Sequence, residues 1–176
     1  MTRTFPARTL PTWVSLAAMA LGGFAIGTTE FATMGVLPDI ARDLDVSIPT
    51  GGHAITAYAL GVVVGAPLFA VLGARVQRRR LLLGLMAAIG LGNLLSALAP
   101  TFPLLVGARF LSGLPHGAYF GMAALVASAI VAPERRARAV ATTMTGLTVA
   151  NVVGVPLTTR VGQALGWRST YVIVVV

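Results

Sequence analysis

Long apolar runs alternate with short polar breaks along this chain, and the run lengths decide its class. Runs from about Trp13 to Leu37, His53 to Leu72, Leu81 to Leu98, Phe102 to Val131 and Ala139 to Thr158 approach or exceed the roughly 20 residues that an α-helix needs to cross about 30 Å of hydrocarbon. Each run predicts a spanning helix. A sixth run opens at Trp167, but Tyr171 to Val176 adds only six apolar residues. At the helical rise these reach about 9 Å, too little to cross. The expected fold is therefore an all-α polytopic membrane protein: a partial six-helix bundle with five full spans and a truncated sixth, read as part of a longer chain. The breaks are short, so successive helices should be antiparallel neighbours. Pro38 to Gly52 is the one sizeable connection, with Asp39, Asp43 and Asp45 and the turn signals Pro49 and Gly51. Residues 1–12 read as a tail and 13–176 as the bundle. The first run is too long for the apolar core of a secretory signal.

Composition agrees with the pattern. Of 176 residues, 56% are hydrophobic and 10% charged, and the mean hydropathy is +0.86. A soluble domain carries about 25% charged residues, so this chain has too little polar surface to face water. Lipid is its expected solvent.

Charge then orients the helices. All 13 basic residues are arginine. If the connections alternate sides, Arg3, Arg8, Arg75, Arg78, Arg79, Arg80, Arg135, Arg136 and Arg138 share one side. Arg42, Arg160 and Arg168 lie on the other, and Arg109 falls within a span. Basic residues in short loops stay cytoplasmic, which predicts a multi-pass plasma-membrane protein with its N-terminus inside. The net charge of +8 needs no nucleic-acid partner, because no aqueous basic face with interleaved aromatics is present.

The few polar groups inside the apolar runs are the candidate site. Glu30 lies about seven residues before the outer end of the first run and Arg109 about seven residues into the fourth, which starts on the same outer side. They therefore sit at similar depth, about 10 Å in, and are expected to pair or to exchange partners. Intramembrane charge is expensive and marks a pathway for ions or protons by default; a static salt bridge is the bland alternative. His116, deeper in the fourth run, titrates near neutrality and is a second proton candidate, against a simple packing role. Asn151 in the fifth run is either glue between helices or a contact for a polar solute. Gly61 and Gly65, and Gly113, Gly117 and Gly121, form stripes of small residues that let backbones approach. Pro67, Pro115, Gly154 and Pro156 are expected to kink or loosen their helices.

Several chemistries are excluded. No Cys is present, so thiol metal, redox and disulfide chemistry is absent. A P-loop needs a Lys that the chain lacks, and two distant His make no zinc pattern. Ser112 and His116 are four apart on one helix, but no orienting acid or nucleophile elbow accompanies them. No enzyme activity and no cofactor are expected.

Gly27-Thr28-Thr29-Glu30-Phe31 with Met34-Gly35-Val36-Leu37-Pro38 resembles the first helix of major facilitator superfamily drug–proton antiporters, of the arabinose-efflux-permease-like and chloramphenicol-resistance-like kind. Gly61 to Pro67 resembles their second helix. Gly73 to Arg80 is similar to the basic loop motif, with Ala74 where an Asp is usual and Gln77 where a Gly is usual. Arg109 to Gly121 is similar to the fourth-helix motif, and Gly154-Val155-Pro156 with Gly166-Trp167-Arg168 to the fifth-helix motif. The resemblance implies proton-coupled efflux of small amphipathic solutes or drugs by alternating access. Glu30 would be the proton- or cation-recognising acid and Arg109 its electrostatic partner. Gly73, Arg75, Arg78, Arg79 and Arg80 would form a cytoplasmic gate, and Thr28, Asn151 and Tyr119 would face the cavity. Family members have twelve spans in two halves, so the C-terminal half becomes a required partner alongside lipid, protons and a small-molecule substrate. A sugar or metabolite permease, or a membrane remnant that only binds a partner half, shares the same sequence features.

Overall fold

A computed structural model describes residues 11–175 of the chain. Most of the expected tail, with Arg3 and Arg8, lies outside the described residues. The helices are α1 (Thr12–Gly35), α2 (Leu37–Asp43), α3 (Ile48–Gly51), α4 (His53–Leu72), α5 (Arg78–Leu98) and α6 (Phe102–Ala129). After a 3-10 turn (Pro133–Arg135) come α7 (Arg136–Val149), a π turn (Ala150–Gly154), α8 (Val155–Leu165) and α9 (Arg168–Val175). Five segments are long and apolar enough to cross a membrane: α1, α3–α4, α5, α6 and Pro133–Leu165. This is a partial six-helix bundle of the expected kind.

Three boundaries moved. The connection expected over Pro38 to Gly52 is largely helical, because Pro38 and Pro49 sit in the first turns of α2 and α3, where their missing N–H is no loss. Its sharp corner is at Asp45, with φ of 51°, a left-handed conformation that Asp tolerates. Arg78, Arg79 and Arg80 belong to the first turn of α5 rather than to a loop; arginine is a good helix former. The fifth span continues to Leu165 and so takes in Arg160, which lies within α8 rather than in a connection.

The bundle is inside out relative to a soluble protein. Leu60, Val63, Val71, Leu83, Leu91 and Leu157 point outward, as lipid-facing side chains do. Thr29, Thr33, Asn93, Ser96, Arg109 and Ser112 are buried. Lipid tails give no hydrophobic drive for one helix to join another, so close backbone packing and interior hydrogen bonds must hold the helices together.

The glycine stripes do that packing. The broadest contact is α4 against α6. A Cβ on Gly61 would strike the Phe110 carbonyl, one on Gly65 the Leu114 carbonyl, and one on Gly113 the Tyr58 carbonyl. Gly117 lies against Ala66. The second contact, α1 against α7, the π turn and α8, is made the same way by Gly146 on the Ala20 carbonyl and by Gly154 on Phe24 and Thr28. Gly121 breaks the expected stripe. Nothing lies near its Cβ position, and it lines an apolar cleft of about 620 Å³ with Ala66, Phe69, Gly117 and Met122.

The prolines also divide. α4 and α6 run unbroken through Pro67 and Pro115. Pro156 instead follows the π turn. Its ring would press on the carbonyl four residues back, at Val152, and widening that turn relieves the clash.

Candidate functional site

Arg109 occupies the centre of the buried polar seam. Residue 109 faces inward on α6 and is 1% exposed. The guanidinium lies over the Tyr58 ring, 4.2 Å from its centroid, with the Tyr171 ring 5.3 Å away. Its Nη2 donates to the Thr29 carbonyl at 3.5 Å. Nε and Nη1 have no partner among the described residues. Aromatic faces thus hold the cation while two of its edge donors stay free.

Around it the seam is tied across helices. Thr29 Oγ1 on α1 donates to Asn93 Oδ1 on α5 at 3.2 Å, and Asn93 Nδ2 donates to the Ile89 carbonyl at 3.0 Å. Thr33 Oγ1 and the Tyr171 hydroxyl share a hydrogen bond of 3.2 Å between α1 and α9. Ser112 packs against Gly92, which leaves it no room to turn away, and its hydroxyl has no hydrogen-bond partner.

Glu30 sits at the edge of this seam, with its side chain 29% exposed. Its Oε2 is 4.0 Å from His116 Nδ1, and the same nitrogen is 2.9 Å from the Tyr58 hydroxyl. The expected Glu30–Arg109 contact is therefore not made in this arrangement: the group that faces the Glu30 carboxyl is the His116 imidazole. Helical geometry supplies the reason. Arg109 and His116 are seven residues apart on α6, which is two turns along one face, about 10 Å. Glu30 lies level with the His116 turn, and Arg109 reaches the backbone of Thr29 instead. Arg109 remains near enough for its charge to act on Glu30 through space. Glu30, His116 and Arg109 are thus brought together, with Tyr58 touching two of the three. A carboxyl beside an imidazole in a dry interior is an arrangement able to pass a proton once the pair closes or one water bridges it.

The other expected site residues lie elsewhere. Asn151 is exposed on the π turn and donates to its own helix at the Leu147 carbonyl, 3.0 Å away; it takes no part in the seam. Tyr119 is buried, and its hydroxyl donates to the Met19 carbonyl at 2.9 Å, so it ties α6 to α1 at the wall of a cavity of about 650 Å³ that Met19 and Met86 also line. Thr28 is buried against Gly154. At the arginine-rich end Gly73 packs on Leu81. Arg75, Arg78, Arg79 and Arg80 are exposed, and Arg78 reaches the cleft beside Gly121.

Sequence reasoning missed Tyr58, Asn93 and Tyr171. Asn93 stood out as a lone amide within an apolar run, a signal that was legible. Tyr58 and Tyr171 carried none, since a Tyr in a span is equally at home near the membrane interface.

At the opposite end, Asp43 Oδ2 accepts from Arg168 Nη1 and from Trp167 Nε1, the latter at 3.0 Å. Arg168 Nη2 also donates to the Ala99 carbonyl at 3.1 Å. These bonds, from Arg168 first and Trp167 second, hold the Asp43 carboxyl below the usual carboxylate range. They clip the end of α2 to the start of α9.

Comparison with known proteins matches residues 19–176 to the family model of the Major Facilitator Superfamily. The chain is 51% identical over 156 residues to the inner membrane transport protein YdhP of Escherichia coli (strain K12), covering 89% of this chain and 40% of that protein. It is 43% identical over 161 residues to the putative transporter AraJ of the same strain, covering 92% of this chain and 41% of AraJ. It is 39% identical over 156 residues to the chloramphenicol resistance protein of Streptomyces lividans, covering 89% and 40%. The chain thus spans about 40% of the length of these relatives.

Proposed function

This chain belongs to the Major Facilitator Superfamily, and from that membership we propose that it is the N-terminal part of a proton-coupled exporter of small amphipathic solutes. The observation that carries the reading is the Glu30–His116 contact at 4.0 Å, set beside a buried Arg109 with two unfilled donors. A protonatable acid next to an imidazole, with a fixed cation close by, has two partners to choose between. In one arrangement, Glu30 is held at His116; in the other, an ionised Glu30 moves to the free edge of Arg109. Low dielectric makes that choice sensitive to a single proton. Alternating access would then rock this bundle against a second half around a midplane site. Each proton would contribute about 2.3 kcal/mol per 100 mV of membrane potential. The arginine-rich end would face the cytoplasm, with Gly73 and the arginines of the α4–α5 connection forming a gate there. The name of the Streptomyces lividans relative supports drugs as one class of solute.

The test places Glu30→Gln in the complete gene and follows drug accumulation against external pH. Export that no longer responds to pH is expected. Unchanged export with unchanged proton coupling removes Glu30 from the mechanism. Residues 1–176 expressed alone are expected not to transport, since one half offers only one wall of the site; robust proton-dependent efflux from such cells refutes that.

A further inference from the structure

We propose that Tyr58 is a positioning residue that gates proton exchange between Glu30 and His116 and holds Arg109 beside the same relay. Its role in transport rests on the proton-coupled reading above, while the geometry belongs to this chain alone. His116 Nδ1 faces two groups: the Tyr58 hydroxyl at 2.9 Å and Glu30 Oε2 at 4.0 Å. Tyr58 is 2% exposed, and a hydroxyl buried this deeply needs an acceptor for its proton. Its one side-chain hydrogen bond among the described residues is the one to Nδ1. The hydroxyl therefore donates, Nδ1 is the bare nitrogen, and neutral His116 carries its proton on Nε2.

The surroundings leave few other actors. α4 contributes Tyr58, α1 contributes Glu30, and α6 itself contributes Arg109 two turns away. Of the remaining titratable groups on the packed helices, Tyr119 on α6 donates to the Met19 carbonyl, Tyr171 on α9 faces Arg109 and Thr33 and Arg160 lies in α8; the others lie at helix ends, where His53 opens α4, Arg78, Arg79 and Arg80 open α5, Arg136 and Arg138 open α7 and Arg168 opens α9. Tyr58 is also held firmly in place. Its carbonyl lies against Gly113, where a Cβ would collide, and its ring stands edge-on to the His116 ring with centroids 5.7 Å apart.

A proton passing from Glu30 to His116 breaks the Oε2–H bond and forms Nδ1–H, leaving a carboxylate and an imidazolium. Nδ1 then becomes a donor, so the Tyr58 hydroxyl must rotate to present its oxygen. Its own proton turns toward the new carboxylate. The reverse transfer restores the first arrangement. The same ring carries the Arg109 guanidinium at 4.2 Å, so a shift of Tyr58 is felt at the cation that an ionised Glu30 would seek.

The full chain labelled with 15N-histidine, in detergent micelles, gives two imidazole spin systems, from His53 and His116. Neutral wild-type His116 is expected to favour the Nε2–H tautomer by roughly threefold or more, the bias one hydrogen bond supports. In Tyr58→Phe, which keeps the ring, that bias is lost and the His116 titration curve moves, while His53 is unchanged. Identical His116 behaviour in both proteins overturns the proposal. A wild-type His116 protonated on Nδ1 in its neutral form overturns it too, and that reading needs no variant to fold. A lost tautomer bias alongside unchanged proton coupling in the Glu30→Gln transporter would sink the pathway reading and leave the Tyr58 lock standing.

Discussion

Arg109 carries its charge in a dry interior with one hydrogen bond among the described residues, to the Thr29 carbonyl. Two aromatic faces offset part of the desolvation, at about 1–2 kcal/mol each. Two unfilled donors on a charged group cost about as much again in the other direction. These contacts do not add up to a stabilising contribution, and replacing a buried charge of this kind by an apolar side chain of similar volume is often neutral. Arg109→Met, which fills much of the same volume, is expected to change the unfolding free energy in detergent by no more than about 1 kcal/mol, while abolishing transport in the complete gene. A loss of several kcal/mol would make Arg109 a structural keystone and remove it as a functional candidate. Glu30, Arg109 and His116 were legible as residues because titratable groups are rare in apolar runs. Their pairing was not: depth along a helix can be counted from sequence, but which turn of a neighbour lies level depends on how the helices cross.

At the scale of the element, the lengths of the apolar runs located the first, third and fourth spans to within a few residues and fell short at the start of the second and at both ends of the fifth. The glycine stripes at Gly61, Gly65, Gly113 and Gly117 were legible as well, because small residues every four positions have one main use between helices in lipid. Gly121 continues the same spacing and packs against nothing. The pattern is set by the helix, while the contact ends where the facing helix turns aside. Gly65→Ala is expected to destabilise the chain by on the order of 2 kcal/mol, by driving a methyl into the Leu114 carbonyl. Gly121→Ala should be neutral or stabilising by about 0.5–1 kcal/mol, since alanine is the better helix former. Thermal melts of the two variants, side by side, check this; equal destabilisation would mean that α4 and α6 do not touch through the stripe. The π turn before Pro156 follows from a local rule, but sequence alone does not say whether a helix bends, breaks or widens at a proline. At Pro67 and Pro115 the helix neither breaks nor widens.

Across the whole molecule, an outward apolar surface and an inward polar seam belong to one design for a lipid solvent. Outside that solvent the surviving ties are few, and the Asp43–Arg168–Trp167 clip is one that faces water. Asp43 has its folded-state carboxyl held down by its partners. The clip therefore contributes fully above the unfolded carboxylate range of about pH 4, and the contribution is lost as pH falls through the lower folded value. Its side chain is 47% exposed, so screening keeps the gain below about 1 kcal/mol. In a Trp13→Phe background, Trp167 fluorescence should change on acidification below about pH 4, and Asp43→Asn should show the acid-state signal already at neutral pH. Fluorescence indifferent to both would mean that α9 docks without the clip.

The membrane class, the number of spans and the presence of Glu30 and Arg109 within them were determined by sequence alone, whereas Arg160 joined them only through the longer fifth span. Each follows from composition and from distances counted along a single helix. Only the tertiary structure decided that Glu30 meets His116 rather than Arg109, that Tyr58 touches both His116 and Arg109, and that Asn151 stays outside the seam. Those are relations between helices far apart in the chain, and they depend on crossing angle and rotation. In lipid, small glycine contacts set both, and no hydropathy pattern encodes which turn of one helix comes to rest against which turn of another.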